Sequence, residues 1–150
     1  MYNFRVEIDM SPFTDYQGEY KENTERKCKE LIEDISEEMV QGAKDILITN
    51  GNYKTGKLHD SIKYKIDSTG YKVNINVGEA HAIFIEGGTK AHIIKPKRAT
   101  CLRFMIAGKY VYAKKVHHPG TKAKPFLSTS MERSIPYFIS RLEDAISEHN

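Results

Sequence analysis

The chain lacks tryptophan altogether, and has only two cysteines and five prolines among its 150 residues. Cys28 and Cys101 stand far apart and in no metal-ligand spacing, so neither a disulfide framework nor a closed zinc site is expected; free thiols, buried or half-exposed, are. No apolar run approaches the roughly eighteen residues that a membrane-spanning helix needs, so no membrane partner is expected. The opening residues Met1–Glu7 carry neither a basic region nor an apolar one, which argues against a secretory leader. The most informative shortage is local. Between Glu86 and Glu132 there is no acidic residue, while ten Lys and Arg are present.

What is present is a charge asymmetry hidden in a net charge of +3. Residues 1–50 hold 6 Lys/Arg against 12 Asp/Glu, residues 51–125 hold 15 against 4, and residues 126–150 hold 2 against 4. Such a chain can attract copies of itself, an acidic partner, or nucleic acid. Its length suits one domain, residues 1–150, with a core of ordinary size.

The apolar periodicity assigns the elements. Phe4–Ile8 reads as a short strand closed by Ser11 and Pro12. From about Tyr16 to Ile48, Cys28, Leu31, Ile32, Ile35, Met39, Ala43, Ile46 and Leu47 recur at steps of three and four, the mark of an amphipathic helix. Gly42 inside it is a cost of about 1 kcal/mol against alanine, and Thr49-Asn50-Gly51-Asn52 stops it. Residues 55–62 read as one capped turn leading into a strand. Ile62–Ile66 and Tyr71–Val77 then alternate around Asp67-Ser68-Thr69-Gly70, a hairpin with one wet face. His81–Ile85 fits a strand or a short helix.

A second hairpin is expected from Cys101–Phe104 and Tyr110–Ala113, turning at Ala107-Gly108-Lys109 and extended by Val116. The connection at about 87–100 reads as an extended basic loop, with Gly87, Gly88, Pro96, Pro119 and Gly120 as its hinges. A final helix follows Pro125, with Leu127, Met131, Ile135, Phe138, Ile139, Leu142 and Ile146 as its stripe and a kink or restart expected near Ser134, before Pro136. The predicted fold is α+β: a mainly antiparallel twisted sheet of four or five strands, with a long N-terminal and a C-terminal helix on one face. Ile35, Met39 and Leu47 should face Leu142 or the inner sheet residues Ile62, Val73 and Ile75.

Catalytic constellations are weak. The acids of the middle block are Asp60, Asp67, Glu79 and Glu86, and Asp67 falls in a turn. None of His81, His92, His117 and His118 lies at the spacing of a helical metal pair. Gly87-Gly88-Thr89-Lys90 lacks the full phosphate-loop spacing and reads as a bend. No catalytic, cofactor or metal role is assigned, and the chain is expected not to be an enzyme. The basic stretch is the stronger signal: Lys90, Lys95, Lys97, Arg98, Arg103, Lys114 and Lys115, interleaved with Phe104, Tyr110 and Tyr112, ask for an anionic neighbour. The acidic helix residues Glu30, Glu33 and Glu37 of an adjacent copy are one candidate, and DNA is the alternative.

The order of the motifs is itself specific. Thr55–Ile62, Val77-Gly78-Glu79, Ile83–Thr89, His92–Pro96, Leu102-Arg103-Phe104 and Val116–Leu127 follow one another after a long helix. This series resembles the tailed-phage neck family of head–tail joining, tail-completion and "minor capsid" proteins, over about residues 20–148. The resemblance implies a structural virion protein that assembles as a homo-hexameric ring. Its partners would be the adjacent connector or stopper and the tail-tube or tail-terminator proteins, with DNA in its channel as a further candidate partner. It would be found in the host cytoplasm during assembly and in the neck or tail of the virion afterwards.

Overall fold

The computed structural model describes residues 4–9 and 21–147. Strand β1 (Phe4–Asp9) is followed by helix α1 (Lys21–Thr49), the short helix α2 (Lys57–Ser61), and strands β2 (Ile62–Ile66) and β3 (Lys72–Val77). Helix α3 (Ala82–Gly87) resolves the strand-or-helix ambiguity of that segment. Then come strands β4 (His92–Ile94), β5 (Leu102–Ile106), β6 (Lys109–Ala113) and β7 (Val116–His118), and helix α4 (Leu127–Ser147). The α+β class is as expected. The Ser11–Pro12 closure and the start of the first helix before Lys21 lie outside the described residues.

The sheet departs from expectation. Among the described residues three strands join it, in the order β1-β3-β2 and all antiparallel. The other four form two separate ribbons, β4 with β7 and β5 with β6. The β5–β6 hairpin has the expected pairing, with Phe104 opposite Val111. Val116 does not lengthen that hairpin; it pairs with Ile94. Periodicity marks a strand but not which sheet it joins, so two hairpins of similar pattern are not told apart from one larger sheet by their sequence.

The alternation of β3 is carried into burial. Val73, Ile75 and Val77 are buried, while the alternate residues Lys72, Asn74 and Asn76 are half-buried. One contiguous cluster joins Ile35, Met39 and Leu47 of α1 to Ile62, Ile75 and Phe126. A second joins Cys28, Leu31 and Ile32 to Val73 and Leu142. Both cysteines are free, Cys28 buried and Cys101 half-buried. Burial, with Glu25 nearby, raises the pKa of the Cys28 thiol and keeps it in its neutral form.

Helix α4 runs through Pro136 as one element, so the expected restart does not occur. Its inner face is also narrower than the apolar stripe. Ile135 and Ile139 are 44% and 48% exposed, whereas Ser130 and Ser134 are buried. The Ser130 hydroxyl donates to the Met39 carbonyl at 2.7 Å, and a Cβ at Gly42 would stand 2.5 Å from that hydroxyl oxygen. Small residues therefore set how closely α4 crosses α1. Gly42, a cost in helix propensity, admits that approach.

Candidate assembly interface

Everything between Gly88 and Thr121 leaves the core and returns to it at one place. The exit is built from α3. The Glu86 carboxylate reaches the first turn of α4, where Oε2 accepts from the N–H groups of Phe126 (2.9 Å) and Leu127 (3.0 Å). Oε1 accepts from the N–H (3.0 Å) and the hydroxyl of Ser128. A carboxylate here satisfies donors that a helix start leaves unpaired and complements the helix dipole. Burial alone would raise its pKa, but the Ser128 hydroxyl and the three backbone N–H groups outweigh burial and hold it below its ordinary value. The Lys124 N–H donates to the Ile85 carbonyl (2.8 Å), and Lys124 Nζ donates to the Asn50 carbonyl (2.8 Å), tying the return strand to the end of α1.

One residue further out, Thr89 and Thr121 exchange both backbone hydrogen bonds, at 2.9 and 3.0 Å, and their hydroxyls meet at 3.0 Å. Gly88 and Gly120 flank this bridge with φ of 69° and 89°. A Cβ on Gly88 would lie 2.5 Å from the Thr121 carbonyl oxygen, and one on Gly120 would lie 2.3 Å from that of Thr89. Both left-handed backbone and close chain approach thus require glycine at this neck. Gly87, by contrast, is open, with nothing near its Cβ position. Beyond the neck the rings of His92 and His118 stack at 5.0 Å. The His92 Nδ1–H donates to the Lys90 carbonyl, and His118 Nδ1 accepts from the Gly120 N–H.

The arm that results has a ribbon at its base (β4–β7), a waist at 95–101 and 114–115, and a hairpin tip (β5–β6). Residues 87–100 are one leg of this arm: His92–Ile94 is paired strand, and Pro96 lies in the waist. Lys90, Lys95, Lys97, Arg98, Arg103, Lys114 and Lys115 are all exposed. Among the described residues none of these cations has an acidic partner within ion-pairing distance. Arg103 lies over the Tyr110 ring at 4.9 Å. Exposed apolar side chains accompany them: Ile93, Met105, Ile106, Tyr110 and Tyr112 are each more than half exposed.

The acidic set sits on the side of α1 opposite its buried stripe. Glu30, Glu33 and Glu37 are exposed there, with Glu30 joined to Arg26 at 2.8 Å. Asp34 contacts Arg141 of α4 at 3.5 Å, and Glu38 accepts from Ser134. Among the described residues no ion pair joins the acidic set to the arm within the chain, so Glu33 and Glu37 and the arm's cations present their charge outward.

The remaining candidate groups do not converge. His59 Nδ1 meets Asp60 at 2.8 Å, His81 meets Glu79 at 3.4 Å, and Asp67 accepts from Thr69, Gly70 and Lys72 to fix its turn. Among the described residues no group of His, Cys, Asp or Glu is arranged to hold a metal ion. Glu86 and the apolar tip residues Met105 and Ile106 were missed as site residues. The available signal for Glu86 was its place as the last acid before a long acid-free stretch.

A family model described as "Bacteriophage HK97-gp10, putative tail-component" matches residues 13–88. That span takes in α1, the β2–β3 hairpin and α3 as far as Gly88, where the arm begins. No curated protein and no solved structure gives a match.

Proposed function

The chain belongs to the HK97-gp10-like family of phage tail components, and on that premise we propose that it is a structural subunit of the phage neck. In this reading it forms a homo-oligomeric ring that joins or completes the tail at the head–tail interface. Six copies is the number implied by the resemblance to neck proteins. Its neighbours would be a connector or stopper on one side and tail-tube or tail-terminator proteins on the other. The ring would assemble in the host cytoplasm before entering the virion.

The observation that carries this reading is the arm. It is cationic, free of acids and bonded firmly at its neck, yet it contributes none of the buried core side chains. In a closed ring each copy can offer one surface to the next. The waist cations Lys95, Lys97, Arg98, Lys114 and Lys115, with Lys90 and Arg103 on either side, would meet Glu30, Glu33 and Glu37 of the adjacent α1. Exposed pairs of this kind are screened over roughly 8–10 Å at ordinary ionic strength. They would guide encounter and orientation, while apolar contacts supply most of the holding energy.

The test is assembly of the purified chain followed by light scattering. Lys97→Glu with Arg98→Glu should slow or abolish ring formation, and Glu33→Lys with Glu37→Lys in the same chain should partly restore it. Normal assembly by the arm variant would refute the charge pairing. A wild-type monomer that shifts bare DNA, with affinity falling steeply as salt rises, would favour the alternative in which the arm lines a DNA channel.

A further inference from the structure

The hairpin tip has an unusual distribution of apolar groups. Its register places Leu102, Phe104, Ile106, Lys109, Val111 and Ala113 on one face and Arg103, Met105, Tyr110 and Tyr112 on the other. Five of the six residues on the first face are apolar. A sheet with one wet face alternates apolar with polar, as β3 does; this hairpin does not. None of these ten side chains belongs to either core cluster. On the first face Leu102, Phe104 and Ala113 are half-buried while Ile106 and Val111 are 56% and 36% exposed; on the second Met105, Tyr110 and Tyr112 are 59%, 58% and 61% exposed.

A two-stranded ribbon with both faces in water is marginal. Covering one face would leave the other still exposed. The two faces also differ in kind. The first is aliphatic apart from Phe104 and Lys109, and resembles half of a protein core. The second carries Tyr, Arg and Met, the side chains that interface centres favour.

We propose that the β5–β6 tip is inserted between two further copies of this chain, its aliphatic face against one and its Tyr/Arg/Met face against the other. The inference rests on the ring reading and deepens it. Charge names the occupant: the waist behind the tip is cationic with no acid of its own, and the outward side of α1 carries Glu30, Glu33 and Glu37. In the proposed ring, an arm with its waist on one neighbour's α1 would place its tip at the seam between that neighbour and the next. Each subunit is then interlocked with two others.

Because the tip lies outside the core, it can be altered without unfolding the protein, and thermal melting provides the control. The experiment uses the full chain, with p-benzoylphenylalanine at Val111 or at Tyr112, assembled from an equal mixture of light and 15N-labelled copies. Photo-cross-linking should give mixed-isotope products from both positions, mapping to two different surfaces. In parallel, Phe104→Ser with Val111→Ser, and separately Tyr110→Ser with Tyr112→Ser, should each weaken association at least tenfold. Cross-links from the two positions to one shared surface, or one face tolerating its substitutions in a ring that still forms, would overturn the two-sided insertion and leave the ring reading standing. A wild-type chain that stays monomeric at every concentration would remove both.

Discussion

Removing the Glu86 carboxylate should loosen the junction between the arm and the last helix, and the size of the effect can be worked from its partners. Glu86→Ala leaves three backbone N–H groups and the Ser128 hydroxyl without their acceptor. One hydrogen bond to a charged group contributes about 1.5–3 kcal/mol, and loss of a helix cap costs about 0.5–2 kcal/mol. The exposed Ser128 can turn to water, whereas Phe126 and Leu127 are buried, so the terms do not add in full. The expected cost is about 2–3 kcal/mol, measured by urea unfolding, or a fall of roughly 5–10 °C in Tm for a domain of this size. The carboxyl's folded pKa is depressed below its unfolded value. Its stabilisation is therefore complete above the ordinary carboxylate range and is lost as pH falls through the depressed folded pKa. Glu86→Gln should be less stable than wild type at neutral pH and should lack this part of the acid slope. A change within about 0.5 kcal/mol for Glu86→Ala, or identical acid slopes for wild type and Glu86→Gln, would refute the clasp.

Other outcomes follow from the same geometry. Leu142→Ala, opening a cavity against Leu31, Ile32 and Val73, should cost about 2–5 kcal/mol in denaturant unfolding. Gly120→Ala must strain a positive φ and push against the Thr89 carbonyl, so amide exchange at Thr89 and Thr121 should accelerate while that of β3 is unchanged. In the isolated protein, the amides of β4 and β7 should exchange much faster than those of β2 and β3, and should slow on assembly. Gly42→Ala should destabilise the protein despite its better helix propensity, because the new methyl meets Ser130.

The elements that bury one face were legible because burial writes a period into the sequence. The α1 stripe from Cys28 to Leu47 and the alternation at Val73, Ile75 and Val77 both reappear as buried positions. Ile135 and Ile139 misled for the same reason: a wide apolar stripe does not say how much of itself a neighbour covers. The arm was legible in part. Its hairpin and its cations follow from turn residues and composition, but the pairing of His92–Ile94 with Val116–His118 joins segments with a whole hairpin between them. No local pattern specifies such a partner. The same holds for Glu86, whose role depends on a helix start some 40 residues away.

The bridge at Thr89 and Thr121 makes the arm a removable cassette. The two chain ends that enter it lie side by side and already hydrogen-bonded, so the core's path does not depend on what joins them. A short hairpin turn in place of residues 90–120 would close the same ladder. Such a truncated chain should fold and melt as a core, with its outward acidic strip unchanged, and yet have nothing to reach a neighbour with. Insertions or deletions in this one segment could fit the subunit to a wider or narrower gap without retuning the packing of α1 against α4.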